Sequence, residues 1–350
     1  MKSRWNDDEA AARVDDLDLC VYASRLLGAD TTLVLSGGGN SSVKTVEDDV
    51  FGEPVDVLHV KGSGWDMASI QPAGFAPLRL DRVARLAELP ALSDGRMADE
   101  LAAASLDAAA PAPSVESILH AILPFRFVLH THADAVLALT NTPAGRALVE
   151  EVYGDEVVVV PYVMPGFALA RLCAERFPAD SHAGTVGMVL LNHGLFTFAD
   201  DARAAYENHI DLVGRALARV EATGVGASPA SADAPLVGAG VLPTDPAAVD
   251  PAAGDAAFDA GDDQAFGTGA AVDPAADVVV PGELGALTLL RRDISAAAGH
   301  PMIVRGATGD AARRFAGRGD LAAVSQVGPA TPDHVLRTKR VPLLGRDVAE

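Results

Sequence analysis

Between Gly224 and Asp277 the chain is built mainly from Ala, Gly, Pro and Asp, with almost no aromatics and no sustained periodicity. Such a stretch cannot bury enough apolar surface to offset the entropy of ordering it. It reads as a disordered acidic linker or insertion. Any core must therefore come from what flanks it: a domain over residues 1–223 and a C-terminal segment, 278–350, that packs on that domain.

The first flank carries alternating short apolar runs and amphipathic stretches, the pattern of an α/β domain. Asp8–Leu27 is expected as one helix, with Val14, Leu17 and Val21 on its buried face and Gly28 as its C′ residue. Short strands are expected at Leu33–Leu35, Val57–Val60, Phe127–His132, Val157–Val160 and Val186–Leu191. Helices are expected at Leu78–Leu89, Met97–Ala104, Asp134–Leu139, Pro143–Tyr153, Gly166–Phe177 and Asp201–Ala222. Ser114, following Pro113, is expected to N-cap a helix running to about Leu123. Beyond the linker a helix is expected near Leu284–Ala298 and a strand at Met302–Val304, followed by a basic tail, Arg337–Arg340.

With 350 residues the chain is long enough for a sizeable core, and with 49% hydrophobic but only 5% aromatic residues that core must be Ala, Val and Leu. Cys20 and Cys173, the only two cysteines, lie in apolar periodic segments and read as buried thiols. The formal charge of −21 argues against nucleic acid or an anionic membrane as partner, while leaving room for a few local donors around one phosphate. An Asp-rich, Arg-over-Lys balance suits both a salt-adapted surface and a high-GC genome. No apolar run reaches membrane-spanning length, and Met1–Glu9 is too polar for a signal peptide, so a cytoplasmic location is expected.

Chemistry is concentrated at His130-Thr131-His132. Alternate residues of a strand share a face, so both imidazoles point the same way, as two ligands of one metal must. His193, after another apolar run and before Gly194, can join them. Three histidines leave a fourth position open, as a catalytic zinc requires. The bland alternative is a set of partly exposed strand-end histidines. Glu116 falls at a helix start, where a carboxylate is favoured by the helix dipole and can also serve as a base beside a metal. His120, one turn on, reads as a structural partner rather than a fourth ligand. Two glycine turns, Gly37-Gly38-Gly39-Asn40 and Gly62-Ser63-Gly64, can direct backbone N–H groups at an anion, and Ser114 adds a hydroxyl. Neither turn has the spacing of a dinucleotide or Walker loop.

Taken in order, Gly38-Gly39-Asn40, Ser63-Gly64, Pro113-Ser114-Val115-Glu116, His130-Thr131-His132, Val160-Pro161-Tyr162 and Asn192-His193-Gly194 resemble the motifs of the class II aldolase/adducin-head family. The resemblance covers about Asp8–Ala222. Within that family the chain looks most like the aldolase half of bifunctional rhamnulose-1-phosphate aldolase/lactaldehyde dehydrogenase proteins, through Met1–Trp5, Val60–Gly64 and Gly328–His334. The resemblance implies a three-layer α/β fold with a central mixed sheet flanked by helices. It implies zinc, or another divalent metal, on His130, His132 and His193, with Glu116 as general acid/base. Gly38, Gly39, Asn40, Ser63, Gly64 and Ser114 would hold a sugar phosphate. It also implies a homo-oligomer, often a tetramer, in which Tyr162 serves a neighbouring subunit. Two departures, Gly37 where Thr is frequent and Val115 where Ser is frequent, remove hydroxyl donors from the expected phosphate site.

The expected activity is cleavage or formation of a carbon–carbon bond in a ketose 1-phosphate, yielding dihydroxyacetone phosphate and an aldehyde. The same ligands would serve a sugar-phosphate epimerase, dehydratase or decarboxylase. A non-catalytic adducin-like module has no need of them. A dehydrogenase is set aside, because no Gly-rich nucleotide fold follows the linker before Glu350.

Overall fold

The structure is a computed structural model that describes residues 1–223, 289–292, 294–296 and 314–333. The chain divides into two compact units. One comprises Met1–Pro229 together with Pro329–Arg340; the other comprises Ala230–Gly328 together with Val341–Glu350. The linker Gly224–Asp277, the strand Met302–Val304 and the tail Arg337–Arg340 lie outside the described residues. Within the second unit, residues 289–292 and 294–296 are helical, as expected for Leu284–Ala298, and a short helix spans Leu321–Ser325.

The first unit is a seven-stranded mixed sheet. Its strands are β1 Asn40–Asp48, β2 Pro54–Lys61, β3 Phe75–Arg79, β4 Phe127–Thr131, β5 Val157–Val160, β6 Gly187–Leu190 and β7 Gly194–Ala199. They lie in the order β3-β2-β1-β4-β7-β6-β5, antiparallel except for β5 against β6. Alternate strand residues feed two separate cores, which makes the fold three-layered. One core gathers Val43, Phe127, Leu129, Val157, Val159, Val189 and Leu195 under α2 (Asp16–Gly28), α6 (Asp134–Thr140), α7 (Gly145–Tyr153) and α9 (Ala202–Ala222). The other gathers Leu58, Val60, Val128, Val158, Met188, Phe196 and Phe198 under α3 (Leu80–Leu86), α4 (Asp94–Ala103), α5 (Ser117–Ile122) and α8 (Phe167–Asp180). The expected central mixed sheet flanked by helices is therefore the observed architecture.

Several local expectations change. The N-terminal helix is two helices, α1 (Asp7–Ala11) and α2. Asn6 caps the first, Asp15 caps the second, and Val14, placed on the buried face by its spacing, is 83% exposed in the break between them. Gly28 is the last helical residue rather than a left-handed C′; a Cβ there would run into the Met67–Ala68 backbone, so close approach is what requires it. Leu33–Leu35 is a turn: the Leu33 and Val34 amides donate back to Asp30 O instead of to a neighbouring strand. Leu78 and Arg79 end β3, and the helix begins after them. Strand β7 follows the His193 turn immediately and has no counterpart in the sequence reading. Cys20 and Cys173 are buried free thiols, pushed up to about 12 by burial, and so are unreactive. Among the described residues no helix is long and apolar enough to cross a membrane.

Candidate metal centre

Strand β4 ends on Thr131, with His130 facing the layer of Phe196 and Thr131 facing α9 on the other side of the sheet. His130 pairs across the ladder with Phe196 of β7 and stacks on its ring, centroids 4.0 Å apart. His132 lies one residue past the strand and returns to the His130 side, ring centroids 4.7 Å apart. His193 sits in the hairpin between β6 and β7. That turn is made possible by Asn192 in the left-handed region (φ 59°), a conformation Asn tolerates. Because β7 pairs with β4, the hairpin tip reaches the end of β4. Gly194 permits the approach, since a Cβ there would sit 2.5 Å from Thr131 O and 2.9 Å from His130 Cε1.

The three imidazoles are buried, and a nitrogen from each lies within 4.8 Å of the others. Their tautomers follow from their outer partners. His130 Nδ1–H donates to Leu195 O at 3.1 Å, and His132 Nδ1–H donates to Asp333 at 2.5 Å. Both Nε2 atoms are then lone-pair bearers, and they face each other at 3.0 Å. Two lone pairs in that position repel unless a cation or proton is shared between them. Burial holds the His130 imidazole well below its usual range, so a neutral ring is favoured over a shared proton. Two inward-facing lone pairs with a third imidazole, His193, beside them fit a divalent metal.

Glu116 stands beside the triad, Oε1 3.0 Å from His193 Nε2 and Oε2 3.4 Å from His130 Nε2. Burial raises its carboxyl pKa, but the imidazoles of His130, His193 and His132 packed against it outweigh burial and hold it well below the usual carboxylate range. Glu116 Oε1 and His193 Nδ1 are buried and lack a well-aligned hydrogen bond. Glu116, not Ser114, occupies the N-cap position of α5. Ser114 instead folds the preceding turn: its Oγ accepts from the Glu116 amide, and its carbonyl accepts from Ser117 Oγ. The Asn40 amide reaches both, Nδ2 donating to Glu116 Oε2 at 2.6 Å and to Ser114 Oγ at 3.2 Å. Its Oδ1 accepts from His120 Nε2, and Ser42 Oγ donates to His120 Nδ1. His120, pushed down to about 3 by burial, is thus a neutral structural partner. Lys44 Nζ anchors the end of this helix on the carbonyls of His120, Leu123 and Phe125.

The glycine turns hold fewer free amides than their sequence suggests. Gly38 N–H donates to Leu35 O and Ser63 N–H to Ala112 O. Gly39 takes φ 57° and passes close to His130 O, which places this turn against the triad's strand. Ser63 and Gly64 are exposed, and a Cβ on Gly64, which takes φ 80°, would meet open space. Tyr162 stands apart from these groups; it is 51% exposed and its hydroxyl contacts Met164 Sδ at 3.8 Å. Sequence reasoning met Asp333 only as part of the Gly328–His334 tail and gave it no role in the site, because its separation from His132 along the chain leaves no periodic signal.

Residues 18–218 match the family model for the class II aldolase and adducin N-terminal domain, and residues 283–349 match that for aldolase class II, second domain. The chain is 37% identical over 213 residues to the uncharacterized oxidoreductase YuxG of Bacillus subtilis (strain 168), covering 61% of this chain and 31% of YuxG. It thus spans about a third of that relative. The N-terminal class II aldolase domain of a conserved protein from Thermoplasma acidophilum is 42% identical with a TM-score of 0.58, covering 63% of this chain and 99% of that one. L-fuculose-1-phosphate aldolase from Thermus thermophilus is 21% identical with a TM-score of 0.36, over 59% of this chain and 98% of that one.

Proposed function

This chain belongs to the class II aldolase and adducin N-terminal domain family, and on that premise we propose that it is a metal-dependent aldehyde-lyase acting on a ketose 1-phosphate. Zinc is the metal proposed for His130, His132 and His193. The observation that carries the reading is the buried cluster of His130, His132 and His193, whose first two Nε2 atoms face each other at 3.0 Å with a buried carboxylate beside them. A divalent metal supplies Lewis-acid polarisation of a substrate carbonyl.

The chain's own residues supply the rest. Glu116 takes the proton from the hydroxymethyl carbon of dihydroxyacetone phosphate, the electron pair left behind attacks the aldehyde carbon, and the new alkoxide takes a proton from Tyr162 of a neighbouring subunit. Cleavage runs the same steps backwards. Asn40 fixes the carboxylate for this task through its 2.6 Å hydrogen bond. The Gly38–Asn40 and Ser63–Gly64 turns with Ser114 hold the phosphate. The engaged Gly38 and Ser63 amides shift that burden toward Gly39 and the two serine hydroxyls. The rhamnulose 1-phosphate-like choice rests on the sequence motifs, and a cytoplasmic homo-oligomer is proposed with it.

The test is metal analysis with a substrate screen. About one zinc per chain is expected, together with release of dihydroxyacetone phosphate from a ketose 1-phosphate. Full metal occupancy in a His130→Ala/His132→Ala/His193→Ala variant overturns the ligand set. A metal-loaded protein that inverts a carbinol centre, eliminates water or releases carbon dioxide, and never forms dihydroxyacetone phosphate, overturns the aldolase assignment in favour of an epimerase, dehydratase or decarboxylase.

A further inference from the structure

The segment Pro329–Asp333 belongs to the first unit although 99 residues, Ala230–Gly328, separate it from the rest of that unit along the chain, and it ends against the histidine cluster. Asp333 is 2% exposed. One carboxylate oxygen accepts from His132 Nδ1 at 2.5 Å, and the other accepts from the Leu35 amide at 2.8 Å. Gly38 leaves room for it: a Cβ there would overlap the carboxylate. Three residues earlier, Ala330 O accepts from Asn141 Nδ2 at 2.8 Å, and Asn141 Oδ1 accepts from Asn192 Nδ2 at 3.1 Å. Asn192 is the left-handed residue that shapes the His193 turn. One short segment therefore braces His132 directly and the His193 turn through Asn141.

We propose that Asp333 is the positioning residue of the metal centre and that the site is incomplete without the segment that carries it. This rests on the metal-site reading of His130, His132 and His193. A carboxylate on the outer nitrogen of a ligating histidine fixes the tautomer and ring orientation, and raises the basicity of the inner nitrogen. His130 has only a neutral backbone carbonyl in that position, so His132 is the ligand whose donor strength the protein sets with a charge. The same carboxylate ties the Leu35–Gly38 turn, next to the proposed phosphate-binding residues, to the ligand.

The test uses full-length protein with Asp333→Asn and Asp333→Ala. Asn keeps the size of the side chain and removes the charge, so it stays informative where Ala fails to fold. Zinc affinity is measured by chelator competition, and the ligand field by the visible spectrum of the cobalt-substituted protein. A loss of about 10–100-fold in zinc affinity is expected for Ala, with a smaller loss for Asn and a shifted cobalt spectrum in both. The metal-free proteins are compared by thermal melting, because a purely structural role would lower the melting temperature and leave the cobalt spectrum unchanged. Unchanged affinity and spectrum in Asp333→Asn overturn the proposal while leaving the metal site standing. Wild-type protein that binds no zinc overturns the metal-site reading itself.

Discussion

The side-chain amide of Asn40 holds the carboxylate of Glu116, Nδ2 to Oε2 at 2.6 Å. The amide cannot flip without losing its own anchor, because Oδ1 accepts from His120 Nε2 at 2.5 Å. Asn40 heads β1 and Glu116 heads α5, so the bond ties the sheet to the helix that delivers the proposed base. Glu116→Gln is expected to retain metal and to lose about 10²–10⁴-fold in turnover, with an equal fall in exchange of the substrate proton with solvent. Asn40→Ala keeps the base but frees it, so kcat should drop by less while zinc affinity holds. Exchange that survives at the wild-type rate in Glu116→Gln would remove Glu116 from this role.

Gly194 tests the approach of β7 to β4. Its φ is not in the left-handed region, so the constraint is space: the added methyl would press on Thr131 O and His130 Cε1. Gly194→Ala should spread the two strands at the cluster, weaken zinc binding and cost about 1–3 kcal/mol of stability. Gly95, inside α4 with open space at its Cβ position, is the control. There the same substitution should stabilise by about 0.4–1 kcal/mol and leave zinc binding alone. Equal zinc affinity in both variants contradicts the close-approach argument.

His209 predicts an acid-sensitive fold. It is fully buried on α9, donating from Nδ1 to Thr197 Oγ1 at 2.9 Å, because that hydroxyl gives its own proton to Ala205 O. Nε2 is left to accept from Thr131 Oγ1 at 2.7 Å. Burial pushes the imidazole down from 6.5 to about 3. Between those values the unfolded chain binds a proton that the folded chain does not. Stability is therefore lost as pH falls below about 6.5, by up to about 1.4 kcal/mol per pH unit. His209→Gln has no such proton to take up, so its denaturant midpoint should vary less steeply between pH 6.5 and 4. His120 adds the same trend to both proteins and cancels in the comparison. Parallel profiles would show that His209 does not carry the effect.

The legible parts of this fold were those with a short-range cause. Alternation along the expected strand Phe127–His132 puts His130 and His132 on one side, and Val157–Val160 matches its strand end to end. The α9 start was written in Asp201, which accepts from the Ala204 amide. Position in the sheet was not legible, because β7 begins one residue after His193 and its place beside β4 is decided by pairing across the sheet. The break at Val14 was hidden because Asp15, a cap, sits where the helical spacing runs on unbroken. The free amides expected of Gly38 and Ser63 were spent on partners that only the folded chain reveals. Asp333 was visible in a family-like tail, yet its partner His132 depends on where the chain returns.

Tyr162 bears on the proposed oligomer. It follows β5, one of the two edge strands of the sheet, and Pro161 ends that strand's capacity to donate. Tyr162 and Met164 are exposed large side chains side by side, 51% and 70%. In the proposed assembly Tyr162 enters a neighbour's site and donates a proton, while Glu116 acts in its own subunit. Tyr162→Phe and Glu116→Gln should each be nearly inactive alone. Mixed after partial dissociation and reassembled, they should regain activity, because some sites then combine an intact Glu116 from one subunit with an intact Tyr162 from the other. For a random dimer-like exchange at equal input, about a quarter of sites would carry both groups, the product of two independent halves. Mass spectrometry of intact assemblies verifies that mixing has occurred. Mixed assemblies without recovered activity would show that Tyr162 serves no neighbouring site, and that its hydroxyl acts, if at all, within its own subunit.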